Sequence, residues 1–363
     1  MGLTRIGIIG SGQLGWMTIL EGKKLGDEYY VLGGTRYDPA SRIADRHFPY
    51  EDYARFVDEC DIVTYEFEHV NGEALEYADS MGKLRPGIEP IKLKRDRSLE
   101  KEFLRSNNFP VPRFEIAETV EDVARIRKDF GRCVIKTAAG GYDGKGQYFL
   151  KEGDPVPEGM PDQKYVVEEF IDYEYEASMI ISRSTRGEIS AHAPSYNLNL
   201  NGILINNLAP SDDSGMFEIS RRLVQSLGYV GVMGIEFFIV NDKPVINEFA
   251  PRVHNTGHHT LMGSSISQFE QHIRAIEGLP VGTPELLRPS GIVNIIGTDL
   301  NNVRKLSILK LGGTQIYWYG KSEIRRKRKM GHVNCISDSR EGVRVKIGQV
   351  MSVVYGNDLA RFI

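Results

Sequence analysis

Long apolar runs are missing from this sequence, and so is any surplus of charge. No stretch reaches the roughly 18 consecutive apolar residues that a spanning helix needs. The uncharged segment Ile6–Leu20 carries four glycines together with Ser11 and Gln13. No small-x-small cleavage site follows it, so it does not read as a signal peptide. Cysteine is scarce: Cys60, Cys133 and Cys335 lie far apart, and no C-x-x-C occurs. That excludes a disulfide framework and a zinc-finger pattern, and it suits a reducing cytosol. The net charge of −4 argues against a general nucleic-acid binder and against a polybasic membrane protein. Repeats and low-complexity tracts are absent as well. What is present is ordinary globular material: 363 residues, 41% hydrophobic and 26% charged. A chain of this length makes two or three domains and buries about three quarters of its unfolded surface. It is expected to be cytoplasmic, with neither membrane nor nucleic acid as partner.

Short apolar runs alternate with helix-like stretches in the first third. Strands are expected at 5–9, 29–32 and 61–67, which implies a parallel, helix-covered sheet. A helix over 98–106, stopped by Pro110 and Pro112, places a first boundary near residue 97. Further on, an amphipathic stretch at 121–130, strands at 133–137 and 165–169, a helix at 220–227, two strands at 233–240 and 244–249, and a helix at 266–277 are expected. A Pro- and Gly-rich segment at 279–289 marks a second boundary. The remainder to Ile363 reads as short strands and turns.

Two glycine motifs carry chemistry. Gly10-Ser-Gly12-Gln-Leu-Gly15 follows the first strand as a literal G-x-G-x-x-G, a turn that points amides and a helix N-terminus at an anion. A dinucleotide needs an acid at the end of the second strand; here the chain reads Val31-Leu-Gly-Gly-Thr-Arg36. A different phosphate, or a tight turn without ligand, remains open. The second motif, Lys136-Thr-Ala-Ala-Gly140-Gly141-Tyr142-Asp143-Gly144-Lys145-Gly146-Gln147, has four glycines in seven residues, with Lys136 before them and Lys145 among them. Its amides and ammonium groups can wrap phosphates and offset negative charge during phosphoryl transfer. The Walker spacing does not fit, and a plain glycine-rich hairpin is the alternative.

Glu236 and Glu248 lie on the two late strands. If Asn241–Lys243 forms a three-residue loop, positions summing to 484 face each other, and these two glutamates pair. A two-residue loop would shift the register by one. Facing like charges destabilise a sheet unless a cation sits between them. Mg²⁺ takes one or two carboxylates plus phosphate oxygens, and Asn247 could add a neutral oxygen. His254, His258 and His259 have no Cys or acid at zinc-ligand spacing, and His258 and His259 read as packing or capping residues. The run 321–329 holds six Lys or Arg in nine residues, which reads as capture of one phosphate or as a solvated face.

A lysine before a glycine flap, Glu168-Glu-Phe-Ile171 and two late glutamates together resemble the ATP-grasp carboxylate–amine ligases. Ser11-Gly-Gln-Leu-Gly15, Asp96-Arg97, Gly228-Tyr-Val-Gly-Val-Met233, Asn247-Glu-Phe-Ala-Pro-Arg-Val-His-Asn255, Ile266-Ser-Gln-Phe-Glu270 and Arg328-Lys-Met-Gly-His332 occur in the expected order. They make the chain similar to the N5-carboxyaminoimidazole ribonucleotide synthase family, from about residue 5 to about residue 335. The resemblance implies an α/β and α+β architecture: a Rossmann-like pre-ATP-grasp domain (1–97), an ATP-grasp domain (98–285, flap about 113–172) and a small β-rich C-terminal domain (286–363). It implies that ATP, bicarbonate and 5-aminoimidazole ribonucleotide react through carboxyphosphate. It also implies Mg²⁺, with Mn²⁺ as a substitute, and a homodimer.

Residue by residue, the resemblance implies phosphate contacts from Arg97, Lys136, Lys145, Gly141, Gly144 and Gln147. It implies an adenine hinge at Glu168, Glu169, Phe170 and Ile171, a ribose acid at Glu176, and metal ligands at Glu236 and Glu248, with Asn247 beside them on the ATP side. The ribonucleotide is expected against Gly12, Gln13, Leu14, Tyr142, Asp143 and Asn255, with its phosphate on Lys321 and Arg328. Either Glu66 or Glu68 is expected at the aminoimidazole. Arg252 and His254 match positions beside bicarbonate and amine, and Asp143 one that orients or deprotonates the amine. Asn199 replaces a histidine that the family often has near ATP. The alternatives are another ATP-grasp ligase, such as a formate-dependent glycinamide ribonucleotide transformylase, an NAD-dependent oxidoreductase, or a non-catalytic nucleotide-binding regulator.

Overall fold

Ile6, Ile8 and Ile9 have essentially no exposure, as a strand covered on both faces requires. In the computed structural model, which describes residues 3–140, 146–356 and 358–363, they belong to β1 (Arg5–Ile9). β1 sits between β2 (Glu28–Leu32) and β4 (Ile62–Tyr65), and β3 (Arg46–Phe48) completes a parallel sheet ordered β3-β2-β1-β4. Ile9 is level with Leu32 and with Tyr65. Gly10 and Glu66 therefore leave neighbouring strands side by side at the carboxyl edge, where open α/β sheets build sites.

A second sheet, ordered β5-β8-β6-β7, is antiparallel and holds β5 (Phe114–Ala117), β6 (Cys133–Thr137), β7 (Gln147–Leu150) and β8 (Tyr165–Glu169). Lys136 is opposite Gln147 across β6 and β7. The expected strands at 133–137 and 165–169 are observed with those bounds. Gly141, Tyr142, Asp143, Gly144 and Lys145 lie outside the described residues.

The third sheet has nine strands. β9 (Tyr175–Arg183), β10 (Ile189–Ala191), β11 (Ser195–Leu200), β12 (Ile203–Ala209), β13 (Gly231–Val240) and β14 (Lys243–Ala250) supply most of it. β15 (Ser290–Ile296), β16 (Thr314–Trp318) and β17 (Lys329–Ile336) continue it through the antiparallel β12–β15 pair. Phe237 and Phe249 are buried with Leu223 and Met233 beneath it; each buried aromatic stabilises by about 1.5–3 kcal/mol.

The C-terminal segment corrects the expectation of short strands and turns. It includes a helix at Asn302–Leu309 and a 16-residue helix at Arg340–Tyr355. Ser339 caps the long helix by accepting the Gly342 amide. Val343, Ile347, Val350 and Val354 bury one stripe of it against Val293, Ile295 and Val333. Among the described residues no helix is long and apolar enough to cross a membrane.

Candidate active site

Where the first two sheets meet the third, a cavity of about 570 Å³ opens. Asp96 caps the helix Arg97–Ser106 by accepting the Ser98 amide. That cap fixes Arg97 at the first helical position, where its backbone amide bonds to the Ala138 carbonyl at 2.8 Å and its guanidinium to the Thr137 carbonyl at 2.9 Å. Arg97, Lys136, Gly140 and Gln147 all line the cavity.

Glu168 ends β8 with almost no exposure. Lys136 Nζ lies 3.1 Å and Lys101 Nζ 3.2 Å from its carboxylate. Burial works to raise this carboxyl, yet the two ammonium groups outweigh it and hold it below the ordinary carboxylate range. Lys101 also donates to the Asn247 carbonyl at 3.0 Å. The sequence reading overlooked this lysine. Its only signal was a cation at helical spacing from Arg97, on the face that turns inward. Glu169, Phe170 and Ile171 follow along the cavity wall, and Arg132 stacks on Phe170. Glu176 accepts from Tyr173 at 2.9 Å and from the Asn199 amide. The position where the family often has histidine is thus a donor to the expected ribose acid.

The hairpin corrects the expected loop length and keeps its consequence. Val240 pairs with Lys243, so the turn has two residues, Asn241 and Asp242. Both take positive φ, as a type I′ turn requires. The ladder then shifts by one between Glu236 and Phe237, and Asn247 is the extra residue of a β-bulge. The bulge restores the register, and Glu236 faces Glu248. Burial and the Glu248 charge push the Glu236 carboxyl well above the ordinary range. Burial would raise Glu248 too, but Lys94, 2.7 Å away, holds it far below.

Beside this pair, Arg252 Nε lies 3.0 Å from Glu68. His254 Nε2 is 3.5 Å from Glu236, and its Nδ1 is 2.9 Å from Thr256 Oγ1. Burial first, then the Arg252 charge, keeps His254 neutral. Asn255 exchanges two amide hydrogen bonds with Asn294. His258 and His259 are buried, in contact with Gln268 and Ser290 respectively.

The two glutamates left unresolved in the sequence separate here. Glu68 lines the cavity on Arg252. Glu66 instead accepts the amides of Gly12 and Gly15, the latter at 2.8 Å. The anion that this glycine turn meets is therefore an internal carboxylate. A dinucleotide pyrophosphate or the substrate's own phosphate would have to displace it. Gln13 and Leu14 still line the cavity. In the basic run, Lys329 lines the cavity. Lys321 reaches back to the Lys329 carbonyl at 2.8 Å and sits over the Tyr319 ring, and Arg328 bonds to the Glu323 carbonyl at 2.9 Å.

Comparison with known proteins agrees with this construction. Residues 3–93 match the ribonucleotide synthetase preATP-grasp domain, residues 102–269 the ATP-grasp domain, and residues 290–346 the phosphoribosylaminoimidazole carboxylase C-terminal domain. The chain is 50% identical over 359 residues to the N5-carboxyaminoimidazole ribonucleotide synthase of Saccharolobus solfataricus, covering 98% of this chain and 97% of that one. It is 43% identical to the Aquifex aeolicus enzyme of the same name, covering 97% of each. The crystal structure of the phosphoribosylaminoimidazole carboxylase ATPase subunit from Aquifex aeolicus superimposes with a TM-score of 0.85 at 41% identity, covering 96% of this chain and 99% of that one. The Aspergillus clavatus N5-carboxyaminoimidazole synthase in complex with ADP and 5-aminoimidazole ribonucleotide superimposes with a TM-score of 0.87 at 26% identity, covering 97% and 98%. With near-complete coverage at up to half identity, and with the facing glutamates, Lys136 and the buried hinge acid in one cavity, the chain belongs to the N5-carboxyaminoimidazole ribonucleotide synthase family of ATP-grasp ligases.

Proposed function

We propose that the cavity carboxylates 5-aminoimidazole ribonucleotide with bicarbonate, consuming ATP and releasing N5-carboxyaminoimidazole ribonucleotide, ADP and phosphate, a step of purine biosynthesis. The observation that carries the reading is the Glu236–Glu248 pair, facing each other beside Lys136 and the Glu168 hinge in one cavity. The Saccharolobus relative bears this enzyme's name.

The two facing carboxylates fit a hard divalent cation. Among the described residues no group of three or more His, Cys, Asp or Glu side chains is arranged to hold a metal. Phosphate oxygens would therefore complete the shell, which is the preference of Mg²⁺, with Mn²⁺ as a substitute. When bound, the cation neutralises charge on the terminal phosphates.

Lys136 and Arg97 bind the phosphates, Glu168–Ile171 hold the adenine, and Glu176 takes ribose hydroxyls. A bicarbonate oxygen attacks the γ-phosphorus, the bond to the ADP oxygen breaks, and carboxyphosphate forms. The ribonucleotide amine then attacks the carboxyl carbon. The carbon–oxygen bond to phosphate breaks, and the amine proton leaves. Arg252, held by Glu68, offers its charge to bicarbonate. The amine attacks in its neutral form, and His254, itself neutral, is available to accept the proton that the nitrogen loses after attack. Carboxyphosphate is short-lived in water, so the site must close over it. The glycine-rich segment that includes Tyr142 and Asp143 in its sequence is assigned to that task.

The same reading carries a homodimer, a cytoplasmic location and division into units at 1–97, 98–285 and 286–363. It is tested by coupled ADP release with each substrate omitted in turn. ADP that forms only when ATP, bicarbonate and 5-aminoimidazole ribonucleotide are all present supports it. Turnover with formate and glycinamide ribonucleotide instead would move the chain to the transformylases.

A further inference from the structure

Lys94 lines this cavity, and the reaction has so far given it no role. It lies in the last turn of the helix Ile88–Arg95, where a cation also suits the helix dipole. Its Nζ is 2.7 Å from Glu248 Oε2 and 3.3 Å from Glu100 Oε2. Glu100 is 1% exposed, and its other oxygen accepts the Phe249 amide at 3.0 Å. The lysine is thus tethered from behind by a buried anion and presses on one oxygen of an expected metal ligand from the front. It lines the cavity, so an incoming cation meets its charge directly.

This arrangement alters the electrostatics of the pair. Glu236 and Glu248 alone would present two negative charges and bind a divalent cation whether or not nucleotide is there. With an ammonium on one oxygen of Glu248, the net charge is halved and one coordination position is taken. The charge and the ligands that are then missing are those a triphosphate brings.

We infer that Lys94 is a positioning residue that makes metal loading conditional on nucleotide: its ammonium occupies one oxygen of Glu248 and discourages entry of a bare divalent cation. The inference rests on the two-carboxylate metal reading above, and the experiment separates the two.

Mn²⁺ binding is measured by electron paramagnetic resonance on the full chain, with and without a non-hydrolysable ATP analogue. Wild type is expected to bind Mn²⁺ far more tightly with the analogue than without. Lys94→Met should tighten Mn²⁺ binding without nucleotide by about tenfold or more, since a unit charge a few ångströms away is removed, and should shrink the dependence on the analogue. Lys94→Arg should stay near wild type. Lys94→Met leaves Glu100 without that partner and could fail to fold. The double variant Lys94→Met/Glu100→Gln keeps the charge balance and should still bind Mn²⁺ more tightly without nucleotide, because the Glu248 oxygen is released. Folded variants whose nucleotide-free affinity equals wild type overturn the inference and leave the metal reading standing. Wild type that takes up no Mn²⁺ even with the analogue overturns both.

Discussion

Glu236 faces Glu248 across a hairpin whose turn, taken alone, would set Glu236 opposite Asn247. The bulge at Asn247 moves the pairing by one residue and brings two carboxylates together on the cavity wall. Nothing in sheet energetics favours that outcome, since directly opposed like charges destabilise a pair of strands. The placement is therefore an expense accepted for a ligand. It follows that Glu236→Gln should stabilise the metal-free protein at pH 8 by on the order of 1 kcal/mol while activity falls by about a hundredfold or more. Thermal melting in the presence of a chelator, set beside ADP release, checks both halves. A variant that is neither more stable nor less active would show that the pair does not repel and does not hold a cation.

The Glu66 carboxylate closes the first glycine turn by accepting from Gly12 and Gly15. Glutamine has one carbonyl oxygen to offer two amides. Glu66→Gln should then cost about 1–3 kcal/mol in urea unfolding, the usual penalty for a buried donor left without acceptor. Because Gln13 and Leu14 sit between those amides and line the cavity, the KM for the ribonucleotide should rise, with that for ATP held within about twofold. Equal effects on both substrates would detach this turn from the ribonucleotide.

Periodicity and punctuation located fewer than half of the strands among the described residues, missing most of the large sheet from β9 to β12, and the joint order of motifs located the nucleotide cavity. Three things were not legible, each for a physical reason. The bulge at Asn247 leaves no mark in composition, because the residue that bulges is chosen by what faces it. The glycine turn was read as waiting for a phosphate, because its acceptor, Glu66, comes from a strand more than fifty residues away. The long terminal helix does have a helical stripe, Val343, Ile347, Val350 and Val354. Gly342 and Gly348 and a run of β-branched residues obscured it, and tertiary packing overrides such propensities.

Lys101, Glu168 and Lys136 form a buried charged trio beneath the expected adenine hinge. Removing one member strands another's charge in a place with almost no water. Lys101→Met should destabilise the fold by about 3–5 kcal/mol. Lys101→Met/Glu168→Gln should recover much of that loss, since no unpaired charge of the Lys101–Glu168 pair remains, yet still bind ATP weakly because the hinge acid is gone. A double-mutant cycle in urea, with nucleotide titration on the same proteins, distinguishes the two effects. A double variant no more stable than the single one would mean that Lys101 acts through packing.

Outside the cavity, Glu277 ends the helix Gln268–Glu277 against Asp27 of the N-terminal unit, and the two carboxyls share a hydrogen bond. Thr4 bonds to both, and Tyr29 lies close by, itself within reach of the charge of Asp45, which is paired to Lys23. Burial, then the Asp27 charge, pushes the Glu277 carboxyl up to about 7 from an ordinary value of 4.5. The folded protein therefore keeps a proton that the unfolded chain has released between those two values. Linkage makes stability fall as pH rises through that window. Glu277 is partly exposed, so solvent reduces the effect to on the order of 1 kcal/mol, or about 1–2 °C in melting temperature for a chain of this length. Glu277→Gln should melt close to wild type at pH 5 and above it at pH 8. A melting difference of the same size at both pH values would mean that the contact holds no extra proton, and that the junction between the helix and the N-terminal sheet is insensitive to pH at this point.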